Sequence, residues 1–258
     1  FHAAIDVEIS HNRIYRSCRG LWLDWMAQGT RVSTNLFHDN QLEDVMIEVD
    51  HGPFVVDNNL FLSKTSQRVI SQGGAYLHNL FCGGVSFVRH DDRKTPFMKP
   101  HSTEVAGYRD NPSGDMRFFN NLFAQAGDLS PFNEAQLPMQ LAGNVFLKDA
   151  KPCSQEPAPL LKPEFDPDIH LVESSQGAQL TMMLEHAWIT EQKRKLVSSE
   201  LLGFAVIPNL PFERADGGAI RIDNDYSGRP RNRSNPCPGP FEYSSGGVHN
   251  WNIWHTRA

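Results

Sequence analysis

The sequence of 258 residues lacks a basic excess, paired cysteines and long apolar runs. Its formal net charge of −6 argues against a nucleic-acid partner, because a surface that binds nucleic acid carries an excess of lysine and arginine. No stretch approaches the roughly 20 apolar residues that cross a bilayer, so we expect no membrane partner. The 4 cysteines include no CxxC pair and the 11 histidines show no ligand spacing, so we predict no metal site and no cofactor.

The beginning of the chain lacks an initiator methionine and the basic-then-apolar pattern of a secretory leader. It starts at Phe1 and runs at once into the strand-like residues 5–9. We therefore expect an N-terminal portion of the same protein as a partner of this chain, and we favour a cytoplasmic location. The sequence leaves open whether the chain forms a homo-oligomer.

An asparagine followed by apolar residues recurs along the first 150 residues. The recurring residues are Asn12, Asn35, Asn59, Asn79, Asn121 and Asn144, in steps of 23, 24, 20, 42 and 23. A step of 20 to 24 residues suits one coil of a parallel β-helix, whereas leucine-rich repeats of this period need a denser leucine frame. The sequence therefore predicts an all-β, right-handed parallel β-helix in which stacked asparagines form a ladder at one turn.

The step of 42 residues is twice 21 and contains the polar stretch 89–94. Insertions in a repeat map to loops on one face. We expect a long excursion over one face of the solenoid, beside the binding cleft.

The pattern changes after residue 150. We assign residues 1–150 to a catalytic β-helix and residues 151–258 to a proline-rich strap and a loop-rich C-terminal extension that packs on the solenoid or on a partner domain. Within the extension, Gln176 and Gly177 predict the turn of a hairpin. Residues 190–202 predict a helix that stops at Gly203, with a strand left open as the alternative.

Two segments, residues 21–25 and 45–49, are offset by 24 residues, which is one coil. Alternation turns one apolar set of each segment inward, including Trp25 and Val49, and leaves Asp24 and Glu48 on the outer face. Stacked strands lie about 4.8 Å apart, so the two carboxylates should protrude side by side. Like charges placed opposite one another destabilise a sheet, which favours a functional explanation for this pair.

The expected spacing suits a retaining glycosidase, which needs its two carboxyl groups about 5 to 5.5 Å apart. In this interpretation Asp24, flanked by Trp22 and Trp25, is the nucleophile and Glu48 is the acid/base residue. Trp22 offers a face to a sugar ring. The further candidates for substrate binding are Trp25, His51, His2, His101 and Glu104.

These segments also resemble glycoside hydrolase family 120, the β-xylosidases that are built on a parallel β-helix. The strings that carry the resemblance are GLWLDWMAQGTRV at 20–32, IEVDHGP at 47–53, DNNLFLS at 57–63, KPHSTEVAG at 99–107 and ELLG at 200–203. The resemblance implies retaining cleavage of β-1,4-linked xylo-oligosaccharides, with the nucleophile at Asp24 and the acid/base residue at Glu48. It also implies that more solenoid and a β-sandwich domain precede this segment in the family.

Two other functions stay open at this point. A lyase of the pectate-lyase type also uses a parallel β-helix, but it needs a calcium-binding cluster of carboxylates and a basic residue to abstract a proton. A carbohydrate-binding β-helix without catalysis is the other alternative, because a fold alone does not establish a reaction.

Overall fold

A computed structural model of the chain describes residues 1–255. The strands are, in chain order, β1 (Glu8–Ser10), β2 (Arg13–Tyr15), β3 (Arg19–Asp24), β4 (Thr30–Ser33), β5 (Leu36–His38), β6 (Glu43–Glu48), β7 (Phe54–Asp57), β8 (Leu60–Phe61), β9 (Thr65–Ile70), β10 (Gly74–Leu77), β11 (Leu80–Phe81), β12 (Gly84–Phe87), β13 (Asp91–Met98), β14 (Val105–Asn111), β15 (Arg117–Phe119), β16 (Leu122–Phe123), β17 (Gln140–Ala142), β18 (Val145–Leu147), β19 (Leu160–Lys162), β20 (His170–Ser174), β21 (Gly177–Leu184), β22 (Phe204–Ala205), β23 (Leu210–Pro211) and β24 (Gly247–His255). The helices are a 3-10 helix (Ser130–Glu134), α1 (Ala187–Glu191) and α2 (Ser199–Leu202).

Three parallel sheets form the walls of a solenoid. Sheet 1 has the strand order β1-β4-β7-β10-β15-β17, sheet 2 the order β19-β18-β16-β11-β8-β5-β2, and sheet 3 the order β12-β9-β6-β3. In the first coils the chain visits each sheet once per circuit, so each strand pairs with its counterpart one coil away. The predicted all-β parallel β-helix is therefore confirmed. Sheet 2 continues past residue 150 through β19.

The asparagine ladder runs along the junction of sheets 1 and 2. The Oδ1 atom of each ladder residue after Asn12 accepts both the backbone N–H and the Nδ2–H of the preceding ladder residue, at 2.9 to 3.1 Å. Asn79 and Asn121 are direct neighbours in this ladder. The step of 42 residues is therefore one coil that carries an insertion.

The interior of the solenoid is a continuous apolar core. A column of stacked phenylalanines, one per coil, follows the ladder on sheet 2, with ring centroids 4.8 to 5.3 Å apart: Phe37, Phe61, Phe81, Phe123 and Phe146. Offset stacking at this distance adds to the free energy gained by burying each ring. The repeat thus aligns the coils by both hydrogen bonds and ring contacts.

The insertion in the coil between β12 and β15 is an antiparallel hairpin of β13 and β14. The predicted excursion is thus an ordered element. Thr95 and Asn111, one from each strand, are fully buried.

The C-terminal extension packs on the outer surfaces of sheets 1 and 2. The predicted hairpin is confirmed as β20 and β21, and β24 pairs with β21 as a third strand. The helix predicted at 190–202 is wrong in its extent. Helix α1 already ends at Glu191, and α2 covers only Ser199–Leu202. Gly203, with a positive φ of 67°, ends α2. Within residues 1–255 no helix is long and apolar enough to span a bilayer.

Candidate active site

The site lies where β3 and β6 end on sheet 3. These strands pair in parallel with Leu23 opposite Ile47 and Asp24 opposite Glu48. Leu23 and Ile47 have no exposed surface because they point into the core, so the next residue of each strand points outward. The predicted register of the two carboxylates is confirmed, and their strands are neighbours at a spacing of about 4.8 Å.

Both strands stop directly after the carboxylates. Trp25 and Val49 have positive φ values of 43° and 56°, which strand residues avoid. Their side chains pack with Met46 and Ile70 on the outside of the coil. The prediction that Trp25 and Val49 point inward is therefore wrong, since the alternation of a strand does not continue through a left-handed residue. The result is an apolar floor beside the carboxylates.

Asp24 has a half-open environment, with 22% of its side chain exposed. The Nε2 atom of His2 lies 3.4 Å from its Oδ2 atom. The ring of His2 stacks on Trp25 with the centroids 6.3 Å apart. His2 and Trp25 therefore form one wall next to Asp24.

Glu48 is more enclosed, with 12% of its side chain exposed. Trp22 donates its Nε1–H to Oε2 at 3.1 Å, and Nη1 of Arg93 lies 2.7 Å from Oε1. Each carboxylate oxygen thus has its own donor, which restricts rotation of the carboxylate. Trp22 stays 40% exposed, and the guanidinium carbon of Arg19 lies over its ring, 5.3 Å from the centroid.

His51 is buried and has both ring nitrogens engaged within the protein. Its Nε2 lies 3.0 Å from the carbonyl oxygen of Thr95, and its Nδ1 lies 2.5 Å from Nε2 of Gln72. A carbonyl accepts and an amide nitrogen donates, so these partners assign the neutral tautomer with the proton on Nε2. Burial lowers the pKa of His51, in agreement with a neutral ring. Its contacts connect the turn after Glu48 to β13, and they leave no ring nitrogen for a direct contact with sugar.

Asp50 lies beneath the site with no exposed surface. Its Oδ1 accepts the backbone N–H of Ala27 at 2.6 Å. Burial raises its pKa well above the ordinary value; hydrogen bonds from the backbone of Ala27 and Met26 oppose this effect, and the negative charges of Asp24 and Glu48 add to it. Asp50 therefore ties the segment after Asp24 to the coil that carries Glu48.

His101 and Glu104 lie apart from this group. His101 contacts Asp6 at 3.2 Å and Glu213 at 3.4 Å, in a small cavity between the hairpin turn and the C-terminal extension. Burial alone would lower the pKa of His101, but its hydrogen bonds with Glu213 and Asp6 outweigh burial and raise it. Glu104 forms an exposed ion pair with Lys99. The structure brings together Asp24, Glu48, Trp22, Trp25 and His2 and places these two residues elsewhere.

Sequence reasoning missed Arg93, Thr95 and Gln72. Arg93 is one of several charged residues in a polar stretch, and its pairing with Asp91 through Nε at 2.8 Å and Nη2 at 2.9 Å emerges only when β13 forms. The strand alternation of Asp91 and Arg93 is the one local signal that could have indicated it. Thr95 carries no local signal, because it meets His51 only when the hairpin packs against the turn after Glu48. Gln72 lies 21 residues after His51, which is one coil, so the period is the signal that could have indicated it.

One further cluster has the composition of a metal site. His38, Asp39 and Glu173 place their ligand atoms within 4.8 Å of one another. Glu173, however, already pairs with both Arg13 and Arg16. Two guanidinium groups on one carboxylate leave little negative charge for a cation.

The fold and the site define a parallel β-helix protein with two register-matched carboxylates and tryptophans on one outer face. The chain is similar to a solved structure described as the complex of XylC with xylose, at 33% sequence identity and a TM-score of 0.91. The likeness covers 98% of this chain and 44% of that one, so the chain spans less than half the length of XylC. No model of a known protein family and no curated protein matches the chain.

Proposed function

We propose that this chain carries the catalytic carboxylates of a retaining glycoside hydrolase that releases xylose from β-1,4-xylo-oligosaccharides, as in family 120. The observation that carries the proposal is the pairing of Asp24 with Glu48 on the outer face of sheet 3, beside Trp22. The similarity to XylC, whose structure is a complex with xylose, supports a sugar of this class. The resemblance of the motif strings supports the family.

The proposed reaction has two displacements. In the first, a carboxylate oxygen of Asp24 bonds to the anomeric carbon while the bond to the leaving oxygen breaks, and Glu48 donates its proton to that oxygen. In the second, Glu48 removes a proton from water, the water oxygen bonds to the anomeric carbon, and the carboxylate of Asp24 leaves. Two inversions at the same carbon retain its configuration.

The spacing of the strands favours this mechanism over inversion. Carboxylates on adjacent strands suit the separation of about 5 to 5.5 Å in retaining enzymes, whereas inverting enzymes need about 6.5 to 9.5 Å to fit a water molecule. Trp22 serves this mechanism in two ways. Its Nε1–H orients Glu48, and its exposed ring can stack on the apolar face of a xylose ring.

The first test is to trap the intermediate with an activated 2-fluoro xyloside. We expect one covalent label per chain, located at Asp24 by peptide mass spectrometry. Asp24→Asn should lose the label and at least about 1,000-fold in kcat/KM, because no covalent route remains. Asp92→Asn, on the exposed surface of the hairpin, is the matched control and should retain both. A label on another residue would contradict the assignment.

The role of Glu48 as the acid is tested by comparing substrates with poor and good leaving groups. Glu48→Gln should reduce the hydrolysis of xylosides with poor leaving groups by about 100-fold or more, and spare the first step for dinitrophenyl xyloside, which needs little acid assistance. Equal losses on both substrates would count against Glu48 as the acid. An unsaturated uronide product that a chelator abolishes would instead favour the lyase, and sugar binding without any turnover would favour the binding protein.

A further inference from the structure

The β13–β14 hairpin supplies the charged partner of Glu48. Arg93 is held in place by Asp91, with two hydrogen bonds at 2.8 and 2.9 Å, and turns its free Nη1 to Oε1 of Glu48 at 2.7 Å. Such a two-point pair fixes the plane of a guanidinium group. The direction in which Nη1 of Arg93 points to Glu48 is therefore set by the hairpin and not by sheet 3.

A buried polar network joins this hairpin to the turn that follows Glu48. Thr95 donates its Oγ1–H to the carbonyl oxygen of Val49 at 2.9 Å, and its own carbonyl oxygen accepts from His51. Gln72 bridges His51 and Asn111, and Asn111 donates to the carbonyl oxygen of Arg93 at 3.0 Å. Gln72, Thr95 and Asn111 are fully buried and His51 is 2% exposed, so water does not replace these bonds.

The network therefore contacts the chain at both ends of the Arg93–Glu48 pair. Thr95 and His51 hold residues directly after Glu48, and Asn111 holds the backbone of Arg93 itself. A shift of the hairpin would have to break several buried hydrogen bonds and leave their polar groups without partners.

We propose that Arg93 is a positioning residue that fixes the carboxyl group of Glu48 for proton transfer, and that the His51–Thr95–Asn111 network sets its position. The inference rests on the proposed function for its chemistry, and on the contacts above for its geometry. Arg93 acts through the carboxyl group of Glu48, whose Oε1 lies 2.7 Å from its Nη1. Its loss therefore disturbs proton transfer more than nucleophilic attack by Asp24.

The kinetic test compares leaving groups in Arg93→Gln. We expect kcat/KM to fall by about 10-fold or more for xylobiose and by less than about 3-fold for dinitrophenyl xyloside, because only the first needs a well-placed acid. Arg93→Lys, which keeps the charge but not the two-point pair with Asp91, should recover part of the loss on xylobiose. Lys94→Gln, an exposed cation on the same strand, is the matched control and should change neither. Equal losses on both substrates in Arg93→Gln would overturn the proposal.

Thr95→Val tests the network, since valine has the shape of threonine without its hydroxyl. We expect the same selective loss in a milder form, about 3-fold on xylobiose. A loss that is equal for both leaving groups would overturn the role of the network.

A structural readout keeps the proposal testable without turnover. In a crystal structure of Arg93→Gln we expect the carboxylate of Glu48 to take more than one orientation, and in Lys94→Gln to keep one. An unchanged Glu48 in Arg93→Gln would overturn the positioning role. An unmodified protein that neither forms a glycosyl-enzyme nor hydrolyses any xyloside would refute the proposed function alone, since the crystal structures would still decide the geometry.

Discussion

Glu156 occupies the position that a further asparagine would take in the ladder. Its Oε1 accepts the backbone N–H of Asn144 at 3.3 Å and its Nδ2–H at 3.0 Å. Burial raises the pKa of Glu156 to about 7, and the hydrogen bonds from Asn144 oppose this effect only in part. The end of the ladder therefore carries a buried acid that binds a proton more tightly in the folded chain than in the unfolded chain.

This raised pKa predicts a pH-dependent contribution to stability. The stabilising contribution of neutral Glu156 is complete below about pH 4.5 and is lost as the pH rises to about 7. Glu156→Gln keeps an oxygen that accepts the hydrogen bonds of Asn144, but the glutamine side chain does not ionise. As the pH rises across this window, the variant should therefore gain stability relative to the unmodified protein, by on the order of 3 kcal/mol at most. Urea unfolding at pH 5 and pH 8 measures the difference.

Glu164→Gln, an exposed residue of the same type, is the control and should show the same stability difference at both pH values. A Glu156→Gln variant whose stability relative to the unmodified protein is equal at pH 5 and pH 8 would refute the assignment.

At the scale of the element, the asparagine ladder adds a row of side-chain hydrogen bonds to the backbone hydrogen bonds between successive coils. Each inner ladder residue also donates its Nδ2–H to a backbone carbonyl of the preceding coil, as Asn79 does to Val56 at 2.8 Å. The inner asparagines are buried and the first, Asn12, is exposed. The same residue type therefore has a different energetic role at the end of the stack and within it.

This difference predicts unequal effects of one substitution at two positions. Asn79→Ala removes the acceptor of two donors of Asn59 and the donor to Val56, so we expect a loss of at least about 3 kcal/mol from orphaned buried groups. Asn12→Ala should cost less than about 1 kcal/mol, because water can replace its partners. Denaturant unfolding of both variants measures the two values. Similar losses at the two positions would show that burial does not govern the strength of the ladder.

At the scale of the whole molecule, the C-terminal extension shares a core with the solenoid. Leu180, Trp188 and Trp251 from the extension pack in one cluster with Leu60 and Leu80 of sheet 2. Buried arginines add polar contacts across the same boundary, for example Arg231 to Oδ1 of Asn58 at 2.6 Å. Exposing either surface to water would lose the free energy that is gained by burying its apolar side chains.

The shared core predicts that the extension and the solenoid open together. In hydrogen exchange under native conditions, we expect the amides of β21 to show protection similar to those of β8 and β11, because one cooperative unit protects all three. The edge strand β20, whose side chains are largely exposed, serves as the comparison and should exchange earlier. Free exchange of β21 in a protected solenoid would show instead that the extension is an independent unit.

Much of the solenoid can be predicted from the sequence because its order is periodic. A period of one coil sets the ladder, the phenylalanine column and the pairing of Asp24 with Glu48 without any knowledge of distant contacts. The same reasoning fails where the period is interrupted. The length of the step between Asn79 and Asn121 predicts an excursion but not its folding as a hairpin, and the inward direction predicted for Trp25 fails at a left-handed residue.

The sequence by itself determined the coil, its length and the register of the two carboxylates, because these properties depend on residues one repeat apart. Only the tertiary structure decided what surrounds the carboxylates. Arg93 reaches Glu48 because a hairpin folds back over sheet 3, and Thr95 of the same hairpin covers His51. Contacts of this kind bring together residues that no period relates, so they follow from the packing of whole elements.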